Sequence, residues 1–233
     1  MCGIAGIIHL DHSDIPFAIL QKMTEALEHR GPDDGRFFQT HGVGLGHRRL
    51  SIIDLSTGQQ PMSTRGKRYT LVFNGEIYNY QELRKQLEQE GVQFTTSSDT
   101  EVLLLAYQLY QEKCLALLNG MFAFAVWDAK LHCLFLARDR LGKKPLYYFQ
   151  KGNVFAFASE LTALFSHPDC PHQLSHGGLL KYLTLEYTPA PHTIIEGIFK
   201  LPAAHYLQLE TDQCSVQRYW DFPVMGNPVH LLA

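Results

Sequence analysis

The run Met121-Phe122-Ala123-Phe124-Ala125-Val126-Trp127-Asp128 decides the fold class. Its aromatic and β-branched residues are typical of a strand, and a short turn separates it from a second such run, Leu131 to Ala137. Similar runs follow at Leu146 to Phe149 and Val154 to Ala158. Short turns between successive strands favour antiparallel pairing. The run Met121 to Trp127 is predicted to be a buried central strand.

The first half of the chain adds further strands and three helices. Strands are predicted at Gly3 to Leu10, Arg36 to Thr40, Val43 to His47 and Tyr69 to Phe73, the last ending at Asn74-Gly75. The first helix begins near Pro16 and is predicted to bury Phe17, Leu20, Met23 and Leu27. The other two follow Asn79-x-x-Glu82, which approximates a capping box, and Ser98-x-x-Glu101, which is a second box.

The remaining segment, from about Leu161, has a helical pattern and then an irregular one. Its prolines at 168, 171, 189 and 191 mark predicted loops. Along the whole chain, strands come in clusters between helices and do not alternate with them one by one. We therefore expect an α+β fold whose layers are built on antiparallel sheets.

Composition limits the function classes. The chain has 233 residues, 45% hydrophobic and 18% charged, which favours a globular protein over a disordered one. A formal net charge of -3 gives no indication of nucleic-acid binding or of a basic membrane-facing surface. Its longest apolar runs fall far below the roughly 18 residues that span a bilayer. The start lacks the features of a secretory signal, so we interpret it as part of the fold.

The five cysteines form no C-x-x-C pair and are widely spread, so neither a disulfide framework nor a zinc ribbon is indicated. We expect reduced thiols and a cytoplasmic location. His167, Cys170, His172 and His176 match no zinc spacing and two prolines interrupt them. A polar surface loop is the expected structure for this segment, and no metal site is predicted.

Cys2 is the most informative residue for chemistry. Removal of the initiator Met would leave a thiol nucleophile and a free α-amine on one residue. An α-amine titrates near 7.7–8.0 in reference compounds and can therefore accept a proton at neutral pH. The alternative is a small buried hydrophobe at the start of a strand.

Three further segments could complete such a site. The Asn74 side-chain amide and the Gly75 backbone N–H could form an oxyanion hole, although Asn-Gly is also a common turn. His47-Arg48-Arg49 offers a guanidinium that could capture a carboxylate with two of its nitrogens, or these could simply be surface arginines. Asp99 could bind an ammonium group, or could cap a helix.

These segments resemble, in order, the glutaminase domain of class II glutamine amidotransferases of the asparagine synthetase type. The matching blocks are Met1 to Gly6, Arg30 to Asp33, Arg49 to Asp54, Asn74 to Asn79, Asp99 to Glu101, Gly120 to Ala125 and Arg138 to Gly142. The resemblance implies a four-layer α-β-β-α sandwich of the N-terminal nucleophile hydrolase type. It covers residues 2–221, which are predicted to be one domain, and leaves 222–233 as a short tail.

The resemblance also implies roles for individual residues. Cys2 would form a γ-glutamyl thioester from L-glutamine and release ammonia, with Asn74 and Gly75 donating to the oxyanion. Arg49 would bind the substrate α-carboxylate and Asp99 its α-ammonium. The pocket would be completed by Glu76 and by the backbone of Leu50, Ser51, Ile52 and Ile53.

The synthetase half of that family is not found in the sequence. No Ser-Gly-Gly-x-Asp-Ser pyrophosphate loop is present, and Ser175-His176-Gly177-Gly178 lacks its order and its Asp. ATP and magnesium would serve only that half, so no cofactor is expected here. The chain could be a truncated product, an excised piece or a stand-alone glutaminase that passes ammonia to a separate synthetase subunit. A catalytically weak glutamine-binding or docking module is the alternative function, and homodimerisation stays open.

Overall fold

A computed structural model describes residues 1–50, 58–210 and 213–222. Six α-helices lie in these ranges: α1 (Phe17–Glu25), α2 (Tyr80–Gln89), α3 (Asp99–Tyr110), α4 (Cys114–Leu117), α5 (Leu161–Phe165) and α6 (His176–Leu185). The strands are β1 (Gly3–His9), β2 (Asp34–Thr40), β3 (Val43–Arg49), β4 (Met62–Ser63), β5 (Tyr69–Ile77), β6 (Gly120–Asp128), β7 (Cys133–Arg138), β8 (Tyr147–Lys151), β9 (Val154–Ala158), β10 (Ile198–Lys200), β11 (His205–Glu210) and β12 (Gln213–Arg218). No helix in these ranges is both long and apolar enough to cross a membrane.

The strands form two six-stranded antiparallel sheets. The first has the order β10-β8-β9-β1-β3-β2 and the second β12-β11-β7-β6-β5-β4. The run Met121 to Trp127 lies in β6, between β5 and β7, and this confirms the predicted central strand. The predicted strands at Arg36 to Thr40 and Val43 to His47 are also confirmed; they pair as a hairpin, with Gly42 of the turn in the left-handed region at φ +67°.

Alternating side chains on each strand explain the layers. Ile4 and Ile8 of β1 pack between the sheets against Val72 of β5, whereas Ala5 and Ile7 face the other way, toward α1 and α5. On the second sheet, the outward-facing residues of β5 pack against α2 and α3. The result is the expected α+β fold, a four-layer α-β-β-α sandwich.

Strand periodicity also orients the two residues of greatest chemical interest. Position 2 shares the face of Ile4 and Ile8, and position 74 shares the face of Val72. Both faces point into the space between the sheets. The fold thus places the residue that precedes β1 of the first sheet on the side that faces β5 of the second sheet.

Several local predictions were wrong. Asn74 and Gly75 lie inside β5 and not at its end, because β5 continues to pair with β6 as far as Ile77. Asn79 makes no cap hydrogen bond within α2, since its amide spans the backbone of Leu117 and Asn119 instead. Phe17 is 47% exposed and packs at the edge of Phe37, outside the buried face of α1.

The C-terminal region differs most from expectation. The segment predicted to be irregular contains β10, β11 and β12, which extend both sheets. In the segment predicted to be a polar surface loop, His167 and Cys170 are buried; Cys170 belongs to the core under the first sheet, and His167 packs edge-on against Phe149. Ser98 caps α3 by accepting the Thr100 N–H at 3.1 Å, but the predicted capping box does not form, because the Glu101 carboxylate accepts from Thr95 and Thr96 instead.

Candidate active site

A cavity opens between the two sheets at the start of β1. Its volume is about 100 Å³, and it is partly open to solvent. Its walls include seven of the residues predicted from the sequence, namely Cys2, Arg49, Leu50, Asn74, Gly75, Glu76 and Asp99. These residues come from four separate segments of the chain, so only the folded structure brings them together.

Cys2 is half-buried at the entrance to β1. The Leu50 backbone N–H donates to Cys2 Sγ at 3.4 Å, and Sγ lies 3.6 Å from the Leu50 carbonyl oxygen. Burial raises the pKa of the Cys2 thiol, while the bond from Leu50, the chain N-terminus and Arg49 partly offset this. The thiol therefore needs a nearby base before it can act as a nucleophile at neutral pH.

The Asn74 side chain is buried, yet neither its Nδ2 nor its Oδ1 has a hydrogen-bond partner among the described residues. A buried amide without partners is costly and calls for an explanation. Asn74 lines the cavity that holds Cys2, so a bound ligand can supply the missing acceptor. This is the arrangement that an oxyanion donor requires.

Gly75 is required by a close backbone approach. A Cβ at this position would lie 2.2 Å from the carbonyl oxygen of Met121 on β6. Any other residue would push β5 away from β6. The same residue therefore fixes the strand that carries Asn74.

Arg49 and Asp99 place opposite charges in the cavity wall. Arg49 ends β3 and is buried, and Asp99 begins α3, where its Oδ2 accepts the Ile77 N–H at 3.1 Å. Burial, together with the neighbouring Glu76, raises the pKa of Asp99 to about 6 against the stabilising backbone hydrogen bonds. A ligand with a carboxylate and an ammonium group would complement this pair.

His47 connects the two sheets behind the cavity. Its Nε2 lies 3.2 Å from the carbonyl oxygen of Phe73, the residue before Asn74. Burial lowers the pKa of His47 to about 3, so the ring is neutral and Nε2–H donates this bond. His47 thus helps to set the position of β5 relative to β3.

Arg30 is a site residue whose individual contribution the sequence did not indicate. Its Nε donates to the Cys2 carbonyl oxygen at 2.9 Å, and its Nη1 pairs with Glu160 at 2.7 Å. The segment Arg30 to Asp33 is one of the blocks that carry the family resemblance, but no role was predicted for Arg30 itself. Arg30 holds the backbone of Cys2 in place.

The remaining site predictions concern Glu76 and Leu50 to Ile53. Glu76 lines the cavity and Leu50 contacts Cys2 through its backbone. Ser51, Ile52 and Ile53 lie outside the described residues.

Comparisons with known proteins identify the family of the chain. Residues 1–220 match the model of the glutamine amidotransferase domain family. The chain is 43% identical over 225 residues to asparagine synthetase [glutamine-hydrolyzing] 3 of Bacillus subtilis, and this match covers 95% of the chain and 37% of the relative. A putative asparagine synthetase of Methanocaldococcus jannaschii is 37% identical over 96% of the chain and 47% of its own length. The chain thus spans less than half the length of these curated relatives.

A solved structure confirms the fold. Glutamine phosphoribosylpyrophosphate amidotransferase from B. subtilis superposes with a TM-score of 0.66 at 21% identity, covering 94% of this chain and 49% of that one. At this identity the likeness concerns architecture alone. Taken with the family match over residues 1–220, it confirms the resemblance seen in the sequence. The chain belongs to the class II glutamine amidotransferase domain family.

Proposed function

We propose that this domain hydrolyses L-glutamine to L-glutamate and ammonia through a thioester on Cys2. The observation that carries the proposal is the unpartnered Asn74 amide facing the same cavity as the Cys2 thiol. Family membership makes glutamine the substrate. The charged residues Arg49 and Asp99 in the same wall match the two charged groups of an amino acid.

Thioester formation requires a free α-amine at Cys2, which removal of Met1 would provide. The amine accepts the Sγ proton, and the thiolate attacks the carbon of the glutamine side-chain amide. Negative charge then develops on the carbonyl oxygen, where Asn74 Nδ2 and the Gly75 N–H would donate. Collapse of this intermediate breaks the C–N bond, and the α-ammonium returns its proton to the departing ammonia.

Hydrolysis of the thioester uses the same groups. The neutral α-amine takes a proton from water, and the resulting hydroxide attacks the thioester carbonyl. The C–S bond then breaks, glutamate leaves, and Sγ regains a proton from the α-ammonium. Asn74 and Gly75 would stabilise this second oxyanion in the same way.

The destination of the ammonia is also a proposal. Because the relatives are named asparagine synthetases, we infer that ammonia passes to aspartate or another acceptor on a synthetase domain or subunit, where ATP and magnesium would act. Residues 2–221 would be the glutaminase domain and 222–233 a short tail. Homodimerisation and a cytoplasmic location remain proposals of the same kind.

An ammonia-release assay beside calorimetry with glutamine tests the function. Saturable glutamine binding with release of ammonia and glutamate is the expected outcome. Binding without ammonia would favour the weak binding or docking module instead. Asparagine formation from aspartate and ATP by this chain alone would contradict the assignment of ATP chemistry to another segment.

Replacing Arg49 should weaken glutamine binding. A charged hydrogen-bonded pair contributes about 1.5–3 kcal/mol, so Arg49→Met should raise KM roughly 10- to 100-fold with a smaller change in kcat. Arg49→Lys keeps the charge but loses the two-pronged geometry, and an intermediate KM is expected. Steady-state kinetics with glutamine measures both variants. An unchanged KM in Arg49→Met would remove Arg49 from carboxylate binding.

Asp99 should make glutamine binding pH-dependent. Its folded-state pKa is raised to about 6, so the carboxyl group gains a proton as the pH falls through that value. A neutral carboxyl group cannot pair with the substrate ammonium, and KM should rise about tenfold per pH unit below pH 6. Asp99→Asn should show a high KM that no longer depends on pH in this range. A wild-type KM that stays constant between pH 5 and pH 7, both on the order of one unit from this pKa, would contradict the role.

The stability of the Asp99 variant provides a control. Because burial raises its folded-state pKa, Asp99 favours the folded state at low pH, and this contribution is lost as the pH rises through about 6. Asp99→Asn removes an ionised buried group above pH 6 and should raise the thermal midpoint there. A folded variant with poor glutamine binding then reports recognition and not unfolding.

A further inference from the structure

Lys144 belongs to a loop whose backbone is tightly fixed beside the cavity. The Asp139 carboxylate accepts four backbone N–H groups, from Phe122, Leu141, Lys143 and Lys144, at 2.9–3.2 Å. The Lys144 carbonyl oxygen accepts from Arg138 Nε at 2.7 Å. These hydrogen bonds fix the position of the Lys144 backbone, from which the side chain extends.

The Lys144 ammonium is buried with a weak partner. The residue is 4% exposed and lines the cavity that contains Cys2. Among the described residues, its Nζ has one hydrogen-bond partner, the thioether of Met1 at 3.2 Å. Thioether sulfur is a poor acceptor. Removal of Met1 would take even this partner away and leave a cation facing the N-terminal side of Cys2.

We propose that Lys144 is a positioning residue that keeps the Cys2 α-amine neutral, so that the amine can accept the Sγ proton, and that favours the thiolate formed by this transfer. The proposal rests on the proposed function, because it concerns the same nucleophile. A nearby positive charge disfavours the protonated amine and favours the thiolate. Both effects make Cys2 reactive at a lower pH.

Covalent geometry limits how far this charge can be from the amine. Five bonds separate Met1 Sδ from the Cys2 nitrogen, so Lys144 Nζ lies within about 10 Å of that nitrogen. Two unit charges at this separation near a protein surface shift a pKa by about one unit. An effect of this size moves the α-amine from mostly charged to mostly neutral near pH 7.5, taking its usual value as about 8.

Other charged residues near Lys144 and Cys2 also act on the two groups. Arg30 lies on the side of the Cys2 carbonyl, where it is paired with Glu160, and Arg49 adds positive charge from β3. The carboxylates that act on Lys144 or Cys2 are Glu76, Asp99 and Asp139. Burial and Arg30 lower the pKa of Lys144, while Cys2, Asp139 and Glu76 oppose this shift.

The test compares neutral and cationic replacements at position 144. Lys144→Met and Lys144→Gln remove the charge, and Lys144→Arg keeps it. Intact mass first establishes that Met1 is absent in each protein. The alkylation rate of Cys2 by iodoacetamide, measured on the N-terminal peptide across the neutral to alkaline range, is then compared with the pH profile of glutamine hydrolysis.

Both neutral variants should shift both profiles upward by about one pH unit, and Lys144→Arg should retain the wild-type midpoint. Folded neutral variants with wild-type profiles would overturn the proposal. The use of two neutral variants, one apolar and one polar, guards against a folding failure in either. Shifted alkylation without ammonia release by the wild type would overturn only the proposed function, whereas ammonia release with unshifted profiles would overturn only the role of Lys144.

Discussion

Replacing Cys2 by alanine is expected to abolish glutamine hydrolysis, with kcat lowered by a factor on the order of 10⁴ or more. The substitution removes the atom proposed to form the thioester, and no other described cysteine lines the cavity. The substitution leaves the side chains of Arg49, Asn74 and Asp99 unchanged. Glutamine should therefore still bind, because these residues keep their positions in the wall.

Ammonia release and calorimetry on the same preparation measure the two halves of this prediction. Cys214→Ala is the matched control, since Cys214 is an exposed free cysteine on β12, a strand at the far edge of the second sheet. It should retain wild-type turnover. If Cys2→Ala hydrolyses glutamine at a rate within tenfold of the wild type, another group is the nucleophile. A tenfold change in rate corresponds to on the order of 1 kcal/mol in activation free energy.

Replacing Asn74 by alanine should lower kcat roughly 10²- to 10³-fold, the usual loss for one oxyanion donor. Both polar atoms of this amide are buried without partners, so the substitution removes no hydrogen bond from the described part of the fold. KM should change less, because the oxyanion exists only after attack. The loss should therefore appear in the rate of the chemical step.

A second substitution distinguishes the loss of the hydrogen-bond donor from the loss of side-chain shape. Asn74→Asp keeps the size of the side chain but replaces the amide donor by a carboxyl group, and it should lose at least as much activity as alanine. Asn153→Ala is a remote control, because Asn153 lies on the surface and donates to Asp11. If Asn74→Ala hydrolyses glutamine at a rate near that of the wild type, Asn74 does not stabilise the oxyanion.

Strand periodicity allowed much of the fold to be predicted. The runs that became β6, β7 and β9 contain enough aromatic and β-branched residues to be recognised without tertiary information. β5 shows the limit of local reasoning. Asn74-Gly75 is a turn signal in isolation, but the pairing of β5 with β6 extends it through Ile77.

The C-terminal strands could not be predicted for a related reason. β12 is exposed along its whole length, so it lacks the apolar alternation that marks a half-buried strand. β10 has only three residues and follows a proline-rich segment. Both depend on hydrogen bonding to a neighbouring strand, β11 for β12 and β8 for β10.

The candidate site, like the fold, could be predicted only in part from local sequence. The spacing of Cys2, Arg49, Asn74 and Asp99 along the chain gives no physical reason to group them, and the family resemblance supplied that grouping. The structure adds the cavity, the unpartnered amide of Asn74 and the proximity of Lys144. The sequence alone cannot show that a lysine or an arginine is buried, because burial depends on the loops that close over the side chain.

The most direct test of the account is covalent labelling with a glutamine-like electrophile, followed by intact-mass and peptide analysis. We expect one label per chain, placed on a Cys2 that has lost Met1, with labelling that glutamine slows and that parallels the loss of ammonia release. A label on any other residue accompanied by full inactivation would contradict it. So would glutamine hydrolysis by protein that still carries Met1.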